Sequence, residues 1–422
     1  MSLSATFSVL RRKAGLFTLG VALIALHVLD DSFVQPQPGT SAGDHLVSGL
    51  VPLALLALAV WTYPRVSGGR RGALALTLGV WGVAAGGEAY HYAGTIGTSG
   101  DDYTGLLTIP AGLLLLGLGV VTLWRTRRAA GSRPRRYLRR SLLGAASVVV
   151  FLSVVLPVGM AYVESHVGRA VVPPAQLGAA HEEVSFETSD GLTLRGWYVP
   201  ARNGAAVIAF PGRKGPVRHA RMLVRHGYGV LLLDRRGEGA SEGDFNARGW
   251  GGEPDLRAAV AYLRQRPDVQ GDRIGGLGLS VGGELLLQTA AHDRGLRAVV
   301  SEGAGLRSAA EQKHMPGAPP EPIRWIAPIT METAAGAVLA DRLPPPDLAD
   351  LMPRIVPRPA LLIRGMKGNP DEVLNRAYRE TGGPTATLWE IPRAGHTGGI
   401  SAAPAEYERR VIGFFDRALL KP

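Results

Sequence analysis

Cysteine is missing altogether from the 422 residues, so disulfides and thiolate metal sites are excluded, and redox chemistry says nothing about the compartment. No group of histidines and carboxylates has ligand spacing either, so neither a metal nor any other cofactor is implied. Acidic residues are scarce in the first 163 positions, which hold 6 Asp and Glu against 14 Lys and Arg, a surplus of 8 in a chain of net charge +11. That excess is not the footprint of a nucleic-acid surface. The basic residues sit in short loops between long apolar runs, and the rest of the chain is close to neutral at +3.

What the first 163 residues do contain is apolar sequence. Five stretches, about 14–29, 46–63, 72–87, 104–124 and 141–163, reach or approach the roughly 20 residues a helix needs to cross about 30 Å of hydrocarbon. Arg11, Arg12 and Lys13 precede the first; Arg65, Arg70 and Arg71 follow the second; Arg125, Arg127, Arg128, Arg133, Arg135, Arg136, Arg139 and Arg140 follow the fourth. The loops between hold Asp30, Asp31, Asp44, Glu88, Asp101 and Asp102 without one Lys or Arg. With basic loops kept in the cytoplasm, the N-terminus lies inside and everything after Val163 is extracytoplasmic. "RRKAGLF" also fits the start of a cleaved signal peptide, but no A-x-A-like site follows and four more apolar runs do. Glu88 and His91 read as interfacial, and the low polar content of the spans argues for an anchor rather than a transport path. The expected division is a transmembrane module of about five helices over 1–165, a linker over 166–180 containing Pro173 and Pro174, and a second domain over 181–422.

From His181 the pattern changes. "HEEVSFETSDGLTLRGWYVP" reads as two strands joined at Asp190-Gly191, a hairpin signal. "AAVIAF", "GYGVLLLD", "RIGGLGLS", "LRAVVSE", "PALLIRG" and "ATLWEI" are short strands of the buried type, most of them separated by helical segments such as 253–266, 281–292 and 403–420. Such alternation predicts a mostly parallel sheet covered on both faces. Residues 303–352 break the rhythm as a proline-rich insertion with the placing of a cap, and its "IRWIAPITM" segment predicts an apolar wall for a substrate pocket.

Glycine is abundant, at 56 residues, and this blunts the most suggestive motif. G-x-S-x-G occurs three times, around Ser41, Ser241 and Ser280, where chance gives roughly 0.4. Only Ser280, in "GLGLSVGGE", follows a strand and precedes a helix, as a nucleophile elbow requires. Four further segments, "AFPGRKG", "DRRGEGASEGD", "IRGMKGNPDE" and "IPRAGHTGG", stand in the order used by the α/β-hydrolase superfamily, which residues 180–420 therefore resemble. The resemblance implies an α/β-hydrolase fold with a short cap insertion, here preceded by an all-α transmembrane module. It further implies a serine hydrolase of the esterase or peptidase kind.

A serine hydroxyl needs a base to take its proton as it attacks a carbonyl. Of ten histidines only His396 lies beyond the seventh strand and is the expected base, whereas His219, His226 and His292 sit in or beside helices where solvated or capping roles fit. The family's usual acid position is Gly368, so the acid is open among Glu372, the favoured one, Asp371 and Glu302. Oxyanion-hole amides are expected from Val281 and Arg213. The expected activity is cleavage of an ester, thioester or amide of a small or lipid-like acyl substrate. An acyltransferase working on envelope lipids or glycans, or a lapsed sensing domain, is the alternative. Oligomeric state is not legible.

Overall fold

The computed structural model describes residues 3–95, 97–98, 100–126, 133–166, 176–211 and 215–421. They form two units, the first reaching Leu156 and taking in Val338–Asp341, the second comprising Pro157–Ala337 and Arg342–Pro422.

The first unit is helical: α1 (Leu3–Leu29), α2 (Leu46–Thr62), α3 (Gly68–Thr95), α4 (Gly100–Arg125) and α5 (Arg133–Val150); the chain runs on through a wide turn into α6 (Leu156–His166), all but the first residue of which belongs to the second unit. Among the described residues, five stretches are long and apolar enough to cross a membrane: Arg12–Val34, Ala42–Arg65, Gly68–Gly94, Gly100–Arg125 and Tyr137–His166. The third exceeds the 72–87 run legible in sequence because its glycines, neutral on a hydropathy scale, are where α3 and α4 touch. A Cβ on Gly79 would stand 2.9 Å from the Gly112 carbonyl, and one on Gly112 2.6 Å from the Val83 amide. Small residues at these positions let two backbones approach, which is how helices associate without a hydrophobic driving force. Phe17 and Tyr63 stack at 3.8 Å within the bundle core. The bundle also contains ionisable groups that the sequence reading discounted. Asp30 is buried and accepts from Thr104 Oγ1 at 2.7 Å and Gln35 Nε2 at 3.0 Å, with His27 Nδ1 3.4 Å from the same threonine hydroxyl.

The second unit is built on eight strands, β1 (Glu182–Glu187), β2 (Thr193–Val199), β3 (Ala206–Phe210), β4 (Gly229–Leu233), β5 (Ile274–Leu279), β6 (Ala298–Glu302), β7 (Ala360–Gly365) and β8 (Ala386–Ile391), in the order β1-β2-β4-β3-β5-β6-β7-β8. β1 pairs with β2, and β2 with β4, antiparallel; every pairing from β4 to β8 is parallel. The first hairpin turns at Gly191, whose φ of +84° suits a residue without a Cβ. The helices are α7 (Val217–Arg225), α8 (Glu253–Arg264), α9 (Val281–His292), α10 (Glu321–Arg324), α11 (Pro328–Leu339), α12 (Leu348–Leu351), α13 (Asn375–Thr381), α14 (Gly399–Ala402) and α15 (Pro404–Phe415).

Because strand side chains alternate, β3 sends Ile208 and Phe210 into a layer with Leu256, Leu263 and Leu286 of α8 and α9, while Val207 and Ala209 pack with Leu223 of α7 and Phe415 of α15. Helices thus cover both faces, and the loops at the carboxyl ends of the strands are free to carry chemistry. The insertion between β6 and β7 is anchored by Arg307, whose guanidinium donates to Glu311 and Gln288, each at 2.8 Å, and to the Pro346 carbonyl. Its "IRWIAPITM" segment is not a buried wall: Ile323, Trp325 and Ile326 are all at least half exposed.

Candidate active site

The three G-x-S-x-G serines part ways in the fold. Ser41 is exposed and caps a short helical turn through Asp44. Ser241 is buried, its hydroxyl donating to the Asp234 carbonyl at 2.8 Å and accepting from the Arg195 amide at 2.9 Å, so it braces the loop after β4. Ser280 stands between β5 and α9 with φ +51° and ψ −127°, a conformation that costs a non-glycine residue of order 1–3 kcal/mol and that the surrounding packing must hold. The flanking glycines make that turn possible. A Cβ on Gly278 would overlap the backbone of Gly282 and Gly283, and one on Gly282 would lie 2.6 Å from the Phe210 carbonyl and from Pro211. The Val281 amide is the first of α9 and falls outside its i→i−4 ladder, leaving it available as a donor. The other oxyanion candidate, Arg213, lies outside the described residues.

His396 belongs to the loop between β8 and α14, next to Thr397, whose φ of +50° is an outlier for a β-branched residue. Its Nδ1 lies 2.8 Å from Glu372 Oε1. The Glu372 carboxylate is completely buried and also accepts from the Asn369 amide at 3.0 Å and the Gly365 amide at 3.1 Å. The capping position and the histidine partner are therefore one and the same. A glutamate three residues after Asn369 closes a capping box at the start of a short turn, and the box orients the carboxylate toward His396. Gly368 completes the arrangement, since a Cβ there would overlap the Glu372 carboxylate. The Glu372 carboxylate, four residues along the chain, fills the volume a side chain at 368 would take. Its hydrogen bond holds the His396 imidazole above the usual histidine range, against the opposing effect of partial burial.

The remaining acid candidates are engaged elsewhere. Asp371 Oδ2 accepts from the Leu306 amide at 2.8 Å. Glu302 is held by other partners, its Oε1 accepting from the Gly399 amide at 2.7 Å and its Oε2 from the Tyr407 hydroxyl at 2.6 Å. Burial alone would raise its pKa, but His219 at 3.6 Å, Tyr407 and Gly399 outweigh it and hold the carboxylate low. His219 is accordingly not a solvated or capping histidine. α7 is amphipathic, its buried face takes in 219, 220, 222 and 223, and His219 is only 3% exposed.

The end of β6 also lies between Ser280 and His396. The Ser280 amide donates to the Glu302 carbonyl at 2.7 Å, and a Cβ on the next residue, Gly303, would stand 3.2 Å from His396 Nδ1 and Cε1. Ser280 and His396 thus flank one stretch of backbone at the carboxyl edge of β6. Sequence reasoning missed Glu284 as well. It lies one helical turn after Ser280, is buried, and accepts from the Gly305 amide at 2.8 Å. Burial pushes its carboxyl up to about 7 despite the attraction of Arg307. The i, i+4 spacing from Ser280 was the signal that could have found it.

Residues 169–337 match the sequence profile of the X-Pro dipeptidyl-peptidase (S15 family). The chain is 38% identical over 129 residues to the polyketide transferase grgF of Penicillium sp, covering 28% of this chain and 43% of that one. It is 32% identical over 120 residues to the α/β hydrolase domain-containing protein WAV2 of Arabidopsis thaliana, covering 26% and 38%. The chain thus spans less than half the length of each. The second unit has the α/β-hydrolase fold, with a mostly parallel eight-stranded sheet covered by helices. Among solved structures, the Pyrococcus furiosus esterase superposes over 60% of this chain and 98% of its own, with a TM-score of 0.48 and 21% identity. The Penicillium GrgF crystal structure covers 58% of this chain and 100% of its own, with a TM-score of 0.46 and 22% identity.

Proposed function

We propose that the α/β-hydrolase domain is a serine hydrolase that cleaves an ester, thioester or amide through an acyl-enzyme on Ser280. His396 removes the hydroxyl proton as the bond to the carbonyl carbon forms and returns it to the leaving group. Water then repeats the sequence in reverse to free the acid. Glu372 fixes the imidazole tautomer with its Nδ1 proton directed at the carboxylate and stabilises the imidazolium. The amides of Val281 and Arg213 receive the developing oxyanion, an arrangement typically worth several kcal/mol of barrier. The observation that carries this reading is the fully buried Glu372 carboxylate bonded to His396 at 2.8 Å, beside a serine in a strained turn. A fluorophosphonate probe is expected to label the intact protein and to lose that labelling in Ser280→Ala. A folded wild-type protein that never labels would sink the reading.

A second reading keeps the same three residues and replaces water by another acceptor. The likeness to a protein named as a polyketide transferase supports it. Product analysis decides: free acid alone supports hydrolysis, and an acylated lipid or glycan supports transfer. The five apolar helices are read as an integral membrane anchor, with the N-terminus cytoplasmic and the α/β-hydrolase domain extracytoplasmic.

A further inference from the structure

Exposed apolar side chains on the second unit are concentrated in one place. Among its described residues from 176 onward, seven large hydrophobics are exposed; five of them, Ile323, Trp325, Ile326, Met331 and Leu343, fall between 323 and 343, and the others are Val356 and Met366. Ile323, in α10, and Trp325 and Ile326, just after it, form one turn, closed by the Ile326 amide on the Ile323 carbonyl at 3.2 Å, and are 50%, 71% and 77% exposed. Leaving them in water forgoes the gain of burial, and a contiguous patch of this kind marks a binding surface.

The occupant follows from what this unit is joined to. Pro157–His166, the end of the fifth apolar stretch, belongs to the same unit. In its last turn, Glu164 accepts from Arg248 Nε at 2.6 Å through its carboxylate and from the Ala247 amide at 2.7 Å through its carbonyl. Arg248 also reaches the Glu332 carboxylate on α11. One partly buried guanidinium therefore clamps the end of the span to the cap. Glu332 lies in the second turn of α11, which begins two residues after Ile326. In the span's most apolar window only 6% is buried, as fits a helix surrounded by lipid. The exposed turn thus leads directly into the helix that Arg248 ties to the end of the apolar span.

We propose that the cap turn Ile323–Ile326 inserts into the interface of the bilayer that holds the fifth span, with Trp325 at headgroup level and the two isoleucines in the uppermost acyl region. Tryptophan favours that depth because its ring is apolar and its N–H polar, and an interfacial apolar face typically sinks about 5–10 Å. Arg324, within the turn, places a cation beside the lipid phosphates. The proposal rests on reading the apolar helices as membrane spans.

The absence of cysteine makes the test direct. Full-length protein carrying Ile326→Cys or Trp325→Cys with an environment-sensitive fluorophore is placed in phosphatidylcholine and phosphatidylglycerol nanodiscs containing lipids with shallow or deep nitroxides. A blue-shifted emission is expected, quenched more by shallow than by deep nitroxides and shielded from aqueous iodide. A label at Met366→Cys should stay open to iodide. Leu113→Cys, exposed at the middle of α4, reports on the spanning reading itself and should be quenched by deep nitroxides. Lipid quenching at 113 with free iodide access at 325 and 326 overturns the cap insertion alone. No lipid quenching at 113 overturns the spanning reading and the proposal with it. Shielding at 325 and 326 that depends on protein concentration in detergent, without lipid quenching, assigns the turn to a second copy and also overturns it.

Discussion

Gly368 occupies the position where the superfamily resemblance places the acid, and the structure fills its empty volume with the Glu372 carboxylate. In the proposed triad a carboxylate delivered from four residues away can serve as well as one attached at 368, since the imidazole responds to the position of the charge and not to its sequence number. Replacing Glu372 by Gln keeps the volume but removes the charge that holds the tautomer, and kcat is expected to fall by about 10³- to 10⁴-fold. The pH profile gives a second readout. His396 must be neutral to act as base, so kcat/KM falls as pH drops through its raised pKa, and in Glu372→Gln the acid limb should move to lower pH. An acid limb unmoved by the substitution would separate Glu372 from the base.

Glu284 makes an independent residue-scale prediction. A carboxyl raised from its usual range to about 7 is most favourable to the fold below its unfolded pKa, and that contribution is lost as pH rises through the folded value. Glu284→Gln keeps an acceptor for the Gly305 amide and removes the buried charge. Its stability relative to wild type should therefore rise between pH 5 and pH 8, by on the order of 2 kcal/mol. Denaturant melts at both pH values measure it, and an equal difference at the two would refute it.

At the scale of elements, the elbow is a packing problem between β3, β5 and α9. Gly282 sits against the Phe210 carbonyl and Pro211, so Gly282→Ala must separate the start of α9 from the end of β3. A stability loss of about 1–3 kcal/mol is expected from such overpacking. Probe labelling at Ser280 should fall by more than the fraction unfolded, because the serine turn is displaced in the folded molecules too. Thermal melts and labelling on the same sample separate the two effects. The histidine loop is braced differently, by the Glu302 carboxylate on the Gly399 amide and by Tyr407 behind it. This explains why a carboxylate at the end of β6, which reads in sequence as a third acid candidate, has no contact to spare for His396.

For the whole molecule, the charge distribution makes a topological claim that the fold does not address. Lys421→Cys, on the α/β-hydrolase domain, is expected to react with a membrane-impermeant maleimide on intact cells, whereas Arg70→Cys reacts only after permeabilisation. The reverse pattern would invert the orientation and put the proposed chemistry in the cytoplasm.

The strands, the elbow serine, the histidine and the five apolar helices were legible because each is written locally, in short apolar runs, turn glycines and helix-length hydropathy. Which carboxylate meets His396, where His219 lies and which face the cap exposes depend on side chains brought together from distant positions. Glu372 and His396 are 24 residues apart in sequence, and Glu302 and Tyr407 are 105 apart. Periodicity carries no information on such pairings. Only the tertiary structure decides them, because a carboxylate's partner is set by the backbone amides and cavity that receive it.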